Sequence, residues 1–264
     1  MNGRSLSFIF VLAAFSICFS ADYNVRDFGA VDDGKTVNTN AIQQAIDVCS
    51  KAGGGKVIIC GKKFLSGTLT LKDNVTLRIC SGATLEASGD IKDFISRLPE
   101  TDTFTNISKS YSNKALIYAE GKENIGIEGT GTINGRGDLL KGAASERPYM
   151  IFFSECKKVR VEDVKLVTSA FWLQHFLKCE NVLIRGLTIR SRDQYNNDGM
   201  DINSCENVRI SDCDVNCKDD CIVMKSTSDK VCRNVTITNC VLSSICNAIK
   251  CGTESNGGFE NITI

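Results

Sequence analysis

The stretch Asn181-Val182-Leu183-Ile184 decides the fold, because the chain repeats it at a nearly constant interval. Close copies stand at residues 207–210, 234–237 and 261–264, and looser copies stand at residues 74–77, 124–127 and 158–161. From Lys158 onward, the first residues of successive copies are 23, 26, 27 and 27 positions apart. A steady period of this length is typical of a solenoid, in which each repeat supplies one supersecondary unit.

Each copy is a short strand in which branched apolar residues alternate with other side chains. One such strand cannot bury its apolar side alone, whereas stacked coils enclose a continuous core. A leucine-rich repeat has a similar period, but its Leu-x-x-Leu-x-Leu consensus does not account for the Asn-Val strands. The sequence therefore predicts an all-β fold, a right-handed parallel β-helix.

The cysteines share the phase of this repeat. Four of them stand two residues before the first residue of a copy, and two stand six residues after it: Cys156, Cys179, Cys205 and Cys232, then Cys213 and Cys240. Residues of equal phase in neighbouring strands lie about 4.8 Å apart, and cysteine packs as a small apolar side chain. We favour an internal column of thiols. Setting Cys18 aside leaves 13 of the 14 cysteines, and disulfides among some of them remain the alternative.

Residues 1–20 have the layout of a secretory signal peptide. Arg4 supplies the positive start, an apolar stretch follows at residues 8–19, and the small Ser20 and Ala21 come next. An N-terminal membrane anchor is the alternative. We therefore expect a secreted, extracellular protein whose mature domain covers residues 21–264.

A single amphipathic helix is predicted at residues 40–52. Its apolar side chains recur at helical spacing, at Ala41, Ile42, Ala45, Ile46 and Cys49. Asn38 or Thr39 is the expected N-cap, and the three glycines at residues 53–55 end the helix. Such a helix would cover the open N-terminal end of the β-helix, where unpaired strand edges are otherwise exposed.

The charges of the chain are balanced, with 31 acidic and 31 basic residues and no basic block. This balance supports neither a nucleic-acid partner nor a membrane surface. We expect a monomer without contact to a membrane once the signal peptide is removed.

Aligning successive coils on the repeat brings polar residues into shared columns. The first column holds Tyr149, Trp172, Asp198, Asp220 and Asn247; the second holds His175, Asp201, Val223 and Lys250; the third includes Asn203 and Lys225. Ile202, Met224 and Cys251 alternate with these positions and are expected to face inward. The polar side chains should therefore form one external stripe, with Asp219 beside Asp220.

This stripe has the chemistry of a carbohydrate-cleaving site. Neighbouring carboxylates raise one another's pKa, which stability alone does not favour, whereas a glycosidase needs one protonated and one ionised carboxyl. The lysines can attract an acidic sugar chain, and the aromatic rings can stack on sugars. Taken singly, each feature has an ordinary explanation. Asp219 and Asp220 are typical of a solvated turn, the aromatic rings are typical of packing at a sheet edge, and His175 is typical of a hydrogen-bonded structural residue. Their convergence favours a site.

The chain also resembles glycoside hydrolase family 28, the polygalacturonases and rhamnogalacturonan hydrolases. The resemblance rests on residues 24–30, 41–46, 74–77 and 82–85 at the entry to the fold. It rests further on Asn196-Asn197-Asp198, where the family has Asn-Thr-Asp, and on Asp219-Asp220-Cys221, where it has Asp-Asp-Cys. It extends from about Asn24 to the end of the chain.

The resemblance implies inverting hydrolysis of an acidic plant cell-wall polysaccharide, without a metal or a cofactor. Asp219 would protonate the leaving oxygen, and Asp198 and Asp220 would activate the water on the opposite face. The expected substrate-binding residues are Asn196, Asp201, His175, Lys225, Asn247, Lys250, Trp172 and Tyr149.

Two family features are missing. Asn247 stands where the family has the histidine of Gly-His-Gly, and the later Arg-x-Lys segment would lie beyond Ile264. The first departure suggests a divergent branch, and the second suggests a fragment of a longer chain, in which Lys250 replaces the absent charge.

Two other functions compete with this interpretation. A lyase of the same fold would hold calcium on the acidic stripe and eliminate instead of hydrolysing. A non-catalytic carbohydrate-binding β-helix would explain the departures as signs of a degenerate enzyme.

Overall fold

The computed structural model describes residues 21–97 and 112–264. The signal peptide expected at residues 1–20 lies outside the described residues. No helix in the described part of the chain is both long and apolar enough to cross a membrane.

The described chain winds through three sheets in which all neighbouring strands pair in parallel. In sheet order, the first sheet contains β1 (Ala21–Asn24), β3 (Gly55–Ile59), β6 (Val75–Ile79), β9 (Glu123–Glu128), β12 (Lys157–Glu162), β15 (Glu180–Arg185), β18 (Glu206–Ser211), β21 (Cys232–Thr238) and β24 (Phe259–Thr263). The second contains β2 (Asp33–Val37), β4 (Lys63–Ser66), β7 (Thr84–Ala87), β10 (Thr132–Asn134), β13 (Lys165–Val167), β16 (Thr188–Ser191), β19 (Asp214–Cys217) and β22 (Val241–Ser243).

The third sheet runs from β5 (Leu69–Thr70) through β8 (Ala115–Glu120), β11 (Tyr149–Ser154), β14 (Gln174–Leu177), β17 (Met200–Asn203) and β20 (Ile222–Ser226) to β23 (Ile249–Ser255). Two short 3₁₀ helices lie at Val25–Phe28 and Ile91–Asp93. Strands that are one coil apart in sequence are neighbours in each sheet. The predicted parallel β-helix is thereby confirmed.

All seven copies of the repeat lie in the first sheet, and their first residues adopt a left-handed backbone. The φ angle is +57° at both Asn181 and Asn207 and +55° at Asn234. Asparagine tolerates this conformation better than most residues, because its short side chain can bond locally. Here the side chains also bond between coils: Nδ2 of Asn207 donates to Oδ1 of Asn181 at 3.4 Å, and Asn234 donates to Asn207 at 2.9 Å. The asparagine of the repeat thus serves both the bend and a ladder along the solenoid.

The interior of the solenoid is a single apolar cluster that receives the inward residues of all three sheets. It contains the predicted cysteine column, because Cys156, Cys179, Cys205 and Cys232 are buried with free thiols. The backbone places them one above another, since Glu180 donates to the carbonyl of Cys156 and each later coil repeats the bond. A disulfide does form elsewhere, between Cys60 and Cys80. The thiol column and a disulfide therefore coexist.

The capping helix, α1, covers Thr39–Lys51, one residue earlier at each end than predicted. Its buried face holds Ile42, Ala45, Ile46 and Cys49, and it packs on β1, β3, β5 and β6 at the N-terminal end. Asn38 precedes the helix, but its side chain bonds Val31, Thr36 and Leu65 instead of the helix N-terminus.

A second apolar cluster lies on the outer face of the third sheet. It consists of Ala115, Tyr118, Tyr149, Phe152, Phe171, Trp172 and Leu177. The residues of the predicted polar stripe continue the same outer face toward the C-terminal coils.

Candidate active site

The strand pairing reproduces the columns expected from the sequence. His175 pairs with Asp201, Asp201 with Val223, and Val223 with Lys250. Backbone bonds connect the first column in the same way, because Gly199 donates to the carbonyl of Asp220, and Cys221 donates to that of Asn247. The coils therefore bring residues that are 21 to 27 positions apart into direct contact.

Three carboxyl groups converge at the end of these columns. One oxygen from each of Asp198, Asp219 and Asp220 lies within 4.8 Å of the other two. Asp198 and Asp220 are buried, with 4% and 2% of their surface exposed, whereas Asp219 is half-buried. Asp219 is thus the carboxyl most accessible from solvent.

The turn before β17 holds Asp198 in place through buried amide bonds. Asn197 is fully buried and donates from Nδ2 to the carbonyls of Ser169 and Phe171, at 2.8 and 3.2 Å. Its Oδ1 accepts from the hydroxyl of Ser191 at 2.5 Å. After Asp198, Gly199 allows the next coil to approach, since a Cβ there would meet the carbonyl of Cys221 at 2.5 Å.

Asp220 is fixed by two partners from the following coil. Nδ2 of Asn247 donates to Oδ1 at 2.6 Å, and Nζ of Lys250 lies 2.8 Å from Oδ2. The hydrogen bond to Asp220 raises the pKa of Lys250. Asn247, which stands at the family's histidine position, therefore contacts one carboxylate oxygen of Asp220 directly, and the charged amine of Lys250 contacts the other.

Beneath the triad lies a buried ammonium group, that of Lys225. Its Nζ is 2.8 Å from Oε2 of Glu254 and 3.9 Å from Oδ1 of Asp201, and it lies 4.6 Å from the ring centre of Trp172. Burial lowers the pKa of Lys225, but the carboxylates of Asp201 and Glu254 outweigh it, and the net pKa is raised. Lys225 therefore keeps its charge inside the protein wall.

Burial separates the protonation states of the carboxyl groups. Burial, and then the negative charge of Asp219, raises the pKa of Asp198 to about 8. Burial, and then the charge of Asp198, raises the pKa of Asp201 well above its ordinary value. Glycoside hydrolysis requires one protonated and one ionised carboxyl. This site has one carboxyl that holds a proton and another that is paired with a lysine.

Comparisons with known proteins identify the family of the chain. The model of glycosyl hydrolases family 28 matches residues 49–248. The chain belongs to family 28. A probable polygalacturonase of Vitis vinifera is 31% identical over 93% of this chain and 54% of its own length. The exopolygalacturonase of Thermotoga maritima is 26% identical, with a TM-score of 0.80 over 92% of this chain and 65% of that chain.

A polygalacturonase of Erwinia carotovora, 22% identical with a TM-score of 0.72 over 98% of this chain and 70% of its own, shares the fold. The chain spans about half the length of the curated relatives it matches.

Several residues expected to touch sugar in this family 28 chain prove to be covered. Tyr149, His175 and Asp201 have no exposed surface, and Trp172 and Lys225 are 4% and 5% exposed. A covered side chain offers no surface to a sugar, so the structure does not support direct sugar contacts from these five residues. Asn247 is exposed, and Asn196 and Lys250 are half-buried, so these three remain accessible.

His175 shows how one of these covered residues is held. Its ring stacks on Phe152 at 4.7 Å, and its Nε2 lies 3.3 Å from Nδ2 of Asn203. Burial, and then the charge of Lys225, lowers the pKa of His175 to about 3. The imidazole is therefore neutral and holds the wall of the site together.

An exposed tyrosine, Tyr195, and the residues that hold it were not predicted from the sequence. Tyr195 is 74% exposed, and Nζ of Lys218 lies 4.0 Å from its ring centre. Arg147 donates to the Tyr195 carbonyl at 2.6 Å and to Oδ1 of Asn196 at 3.0 Å. Tyr195 and Lys218 lie in connecting segments outside the repeat, where periodicity gives no signal. Their proximity in sequence to Asp198 and Asp219 was the available clue.

Proposed function

We propose that this chain is a secreted glycoside hydrolase that cleaves glycosidic bonds of a galacturonate-containing pectic polysaccharide with inversion. The observation that carries the proposal is the convergence of Asp198, Asp219 and Asp220 within 4.8 Å, with one carboxyl raised in pKa and another paired with Lys250. The names of the relatives support the pectic substrate class. The disulfide between Cys60 and Cys80 supports an oxidising, extracellular location.

The hydrolysis requires one group that protonates the leaving oxygen and another that activates water. Asp219 is the proposed acid, because it is the carboxyl nearest to solvent and stands at the family's acid position. The resting proton is favoured on Asp198, whose pKa is about 8. For Asp219 to act as the acid, the proton held by Asp198 moves to it within the cluster of oxygens that lie within 4.8 Å of one another, which leaves Asp198 and Asp220 free to act on the water.

A change of leaving group separates the acid from the base. An aryl galacturonide that releases nitrophenolate needs little protonation, whereas a sugar leaving group needs it fully. Asp219→Asn should lose about 10²–10⁴-fold on polygalacturonate and far less on the aryl substrate. Asp220→Asn should lose similarly on both. If Asp198→Asn, and not Asp219→Asn, were rescued by the aryl leaving group, the acid would be Asp198.

The stereochemical outcome tests the mechanism separately. Carboxyl groups of inverting enzymes stand about 6.5–9.5 Å apart, and those of retaining enzymes about 5–5.5 Å. The closest oxygens of the triad lie within 4.8 Å, a distance nearer to the second range. Inversion is therefore proposed from family membership, and proton NMR of the first-formed product should show the anomer opposite to the substrate linkage. The retained anomer would refute this part of the proposal.

Asn196, Asn247 and Lys250 are the proposed substrate contacts, because they border the triad and reach solvent. The decisive assay measures reducing ends released from a panel of pectic polymers. Hydrolysis yields saturated products without added metal. An unsaturated product that requires calcium would identify the lyase instead, and binding without cleavage would identify a carbohydrate-binding protein.

A further inference from the structure

The pair formed by Tyr195 and Lys218 flanks the carboxylate triad in sequence and is not used by the proposed chemistry. Tyr195 stands three residues before Asp198, and Lys218 directly precedes Asp219. The Lys218 Nζ lies 4.0 Å from the Tyr195 ring centre, within the range of a cation–π contact. Two segments from successive coils thus meet beside the reacting carboxylates.

Lys218 differs from the other two lysines of the site in its electrostatic partners. Lys225 is engaged by Glu254 and Asp201, and Lys250 is engaged by Asp220. Within the described residues, Lys218 makes no ion pair, although it is half-buried and adjacent to two aspartates in the chain. Its ammonium group is therefore available to an anion that arrives from solvent.

Tyr195 supplies the apolar half of this surface. Its side chain is 74% exposed, whereas the aromatic rings of Tyr149, Phe171 and Trp172 nearby are covered. Aromatic rings commonly present one apolar face and a polar tip, and this combination suits a sugar ring. Of the aromatic residues near the triad in the described chain, Tyr195 is the one that is largely exposed to solvent.

The segment that carries Tyr195 is rigidly held. Arg147 is 5% exposed and donates to the carbonyls of Ala170 and Tyr195, at 2.8 and 2.6 Å, and to Oδ1 of Asn196 at 3.0 Å. Its guanidinium also lies 5.2 Å from the ring centre of Phe171. Because Arg147 orders the segment before a ligand arrives, binding there loses less conformational freedom.

We propose that Tyr195 and Lys218 form a substrate subsite that selects a free uronate residue next to the cleaved bond. The ammonium of Lys218 binds the uronate carboxylate, and the ring of Tyr195 packs against the sugar. This inference rests on the proposed function for its substrate. An acidic chain that enters a site with three carboxyls requires a compensating cation, and Lys218 supplies it. Methyl esterification removes the charge that Lys218 recognises.

The test compares Lys218→Met, Lys218→Arg, Tyr195→Ala and Tyr195→Phe on polygalacturonate and on a highly methyl-esterified pectin of equal length. Lys218→Met should raise KM for polygalacturonate about tenfold and change KM for the ester less than twofold, with kcat preserved. Lys218→Arg should retain most of the selectivity. Tyr195→Ala should raise KM for both substrates, and Tyr195→Phe should not. Lys165→Met, an exposed lysine on the second sheet, is the matched control.

Salt provides a second readout, because a uronate–ammonium contact at the surface weakens as ionic strength rises. The salt dependence of KM for polygalacturonate should be smaller in Lys218→Met than in the wild type. Equal changes of KM on both substrates, or a loss confined to kcat, would overturn the subsite.

Direct binding separates this inference from the proposed function. Titration calorimetry with oligogalacturonate and its methyl ester should show the same preference in the wild type and its loss in Lys218→Met. A protein that cleaves no pectic polymer yet shows this preference would refute the proposed function and retain the subsite. A protein that cleaves polygalacturonate without the preference would refute the subsite alone.

Discussion

Nζ of Lys250 lies 2.8 Å from Oδ2 of Asp220, across one coil of the solenoid. The two residues are 30 positions apart in sequence, yet they are brought together because Val223 pairs with Lys250 and Cys221 donates to the carbonyl of Asn247. Asn247 binds the other oxygen of the same carboxylate. A lysine and an amide thus fix Asp220 where the family has a histidine nearby.

The first prediction concerns this contact. Lys250→Met should lower kcat about tenfold or more, because Asp220 loses the charged partner that fixes one of its oxygens. Lys250→Arg should retain most activity. Steady-state kinetics on polygalacturonate provides the measurement, and Lys230→Met, which breaks an exposed pair with Glu180, serves as the control. Unchanged kcat in Lys250→Met with a raised KM would show that Lys250 only binds substrate.

The second prediction concerns the stability of the fold and the proton on Asp198. Its pKa is raised from 3.8 to about 8, so the folded chain holds a proton that the unfolded chain releases between these pH values. The stabilisation of the fold by the proton on Asp198 is fully present below pH 4 and is lost as the pH rises through 8. Asp198→Asn cannot ionise at this position. Its free energy of unfolding, relative to that of the wild type, should therefore increase by up to about 1.4 kcal/mol for each pH unit between pH 4 and 8.

Urea unfolding at several pH values measures this difference. Asp201 adds to the pH dependence in the same direction, and His175, with its lowered pKa, opposes it below about pH 6.5. Both residues are common to wild type and variant, so much of their effect cancels in the comparison. Asp229→Asn, at an aspartate whose side chain is 84% exposed, should follow the wild type. Parallel curves for Asp198→Asn would show that Asp198 is ionised in the fold.

Much of the site could be predicted from sequence because a β-helix converts sequence period into spatial contact. Each coil returns to the same column, so the alignment of Asp198 with Asp220 and of His175 with Asp201 required only the repeat. The bend conformation was also encoded, since asparagine recurs where φ is positive. The spacing of the repeat therefore predicts which backbone segments are neighbours along the described solenoid.

Exposure was harder to predict because it depends on what covers the outer face. Trp172 and Tyr149 point away from the core as expected, but they pack together at a centroid distance of 5.7 Å within the second apolar cluster. Periodicity predicts on which face of a strand a residue lies, but it does not predict whether another segment covers that face. The same limit hid Tyr195, whose exposure follows from a turn held by Arg147.

The third prediction separates backbone strain from hydrogen bonding in the asparagine ladder. Asn207 has a φ angle of +57° and bonds to both Asn181 and Asn234. Asn207→Ala and Asn207→Gly both remove the two side-chain bonds, but only alanine is strained at this angle. Asn207→Ala should therefore be about 1 kcal/mol less stable than Asn207→Gly. Equal stability in urea unfolding would show that strain is absent and that the bonds alone favour asparagine.

The last prediction concerns the close approach of the two coils that carry the triad. A Cβ at Gly199 would meet the backbone carbonyl of Cys221 at 2.5 Å and Val215 at 3.0 Å, so Gly199→Ala must push the coils apart. The free energy of unfolding should fall by about 1–3 kcal/mol. Because Gly199 follows Asp198 and Cys221 follows Asp220, the shift also separates the two carboxyls, and kcat should fall more than tenfold in the fraction that remains folded. Gly126→Ala is the matched control, since its Cβ would meet the Thr76 side chain at 3.2 Å, and a side chain can yield where a carbonyl cannot. Gly126→Ala should keep normal kcat, and a Gly199→Ala variant with equally normal kcat would show that the spacing of these coils does not set the geometry of the triad.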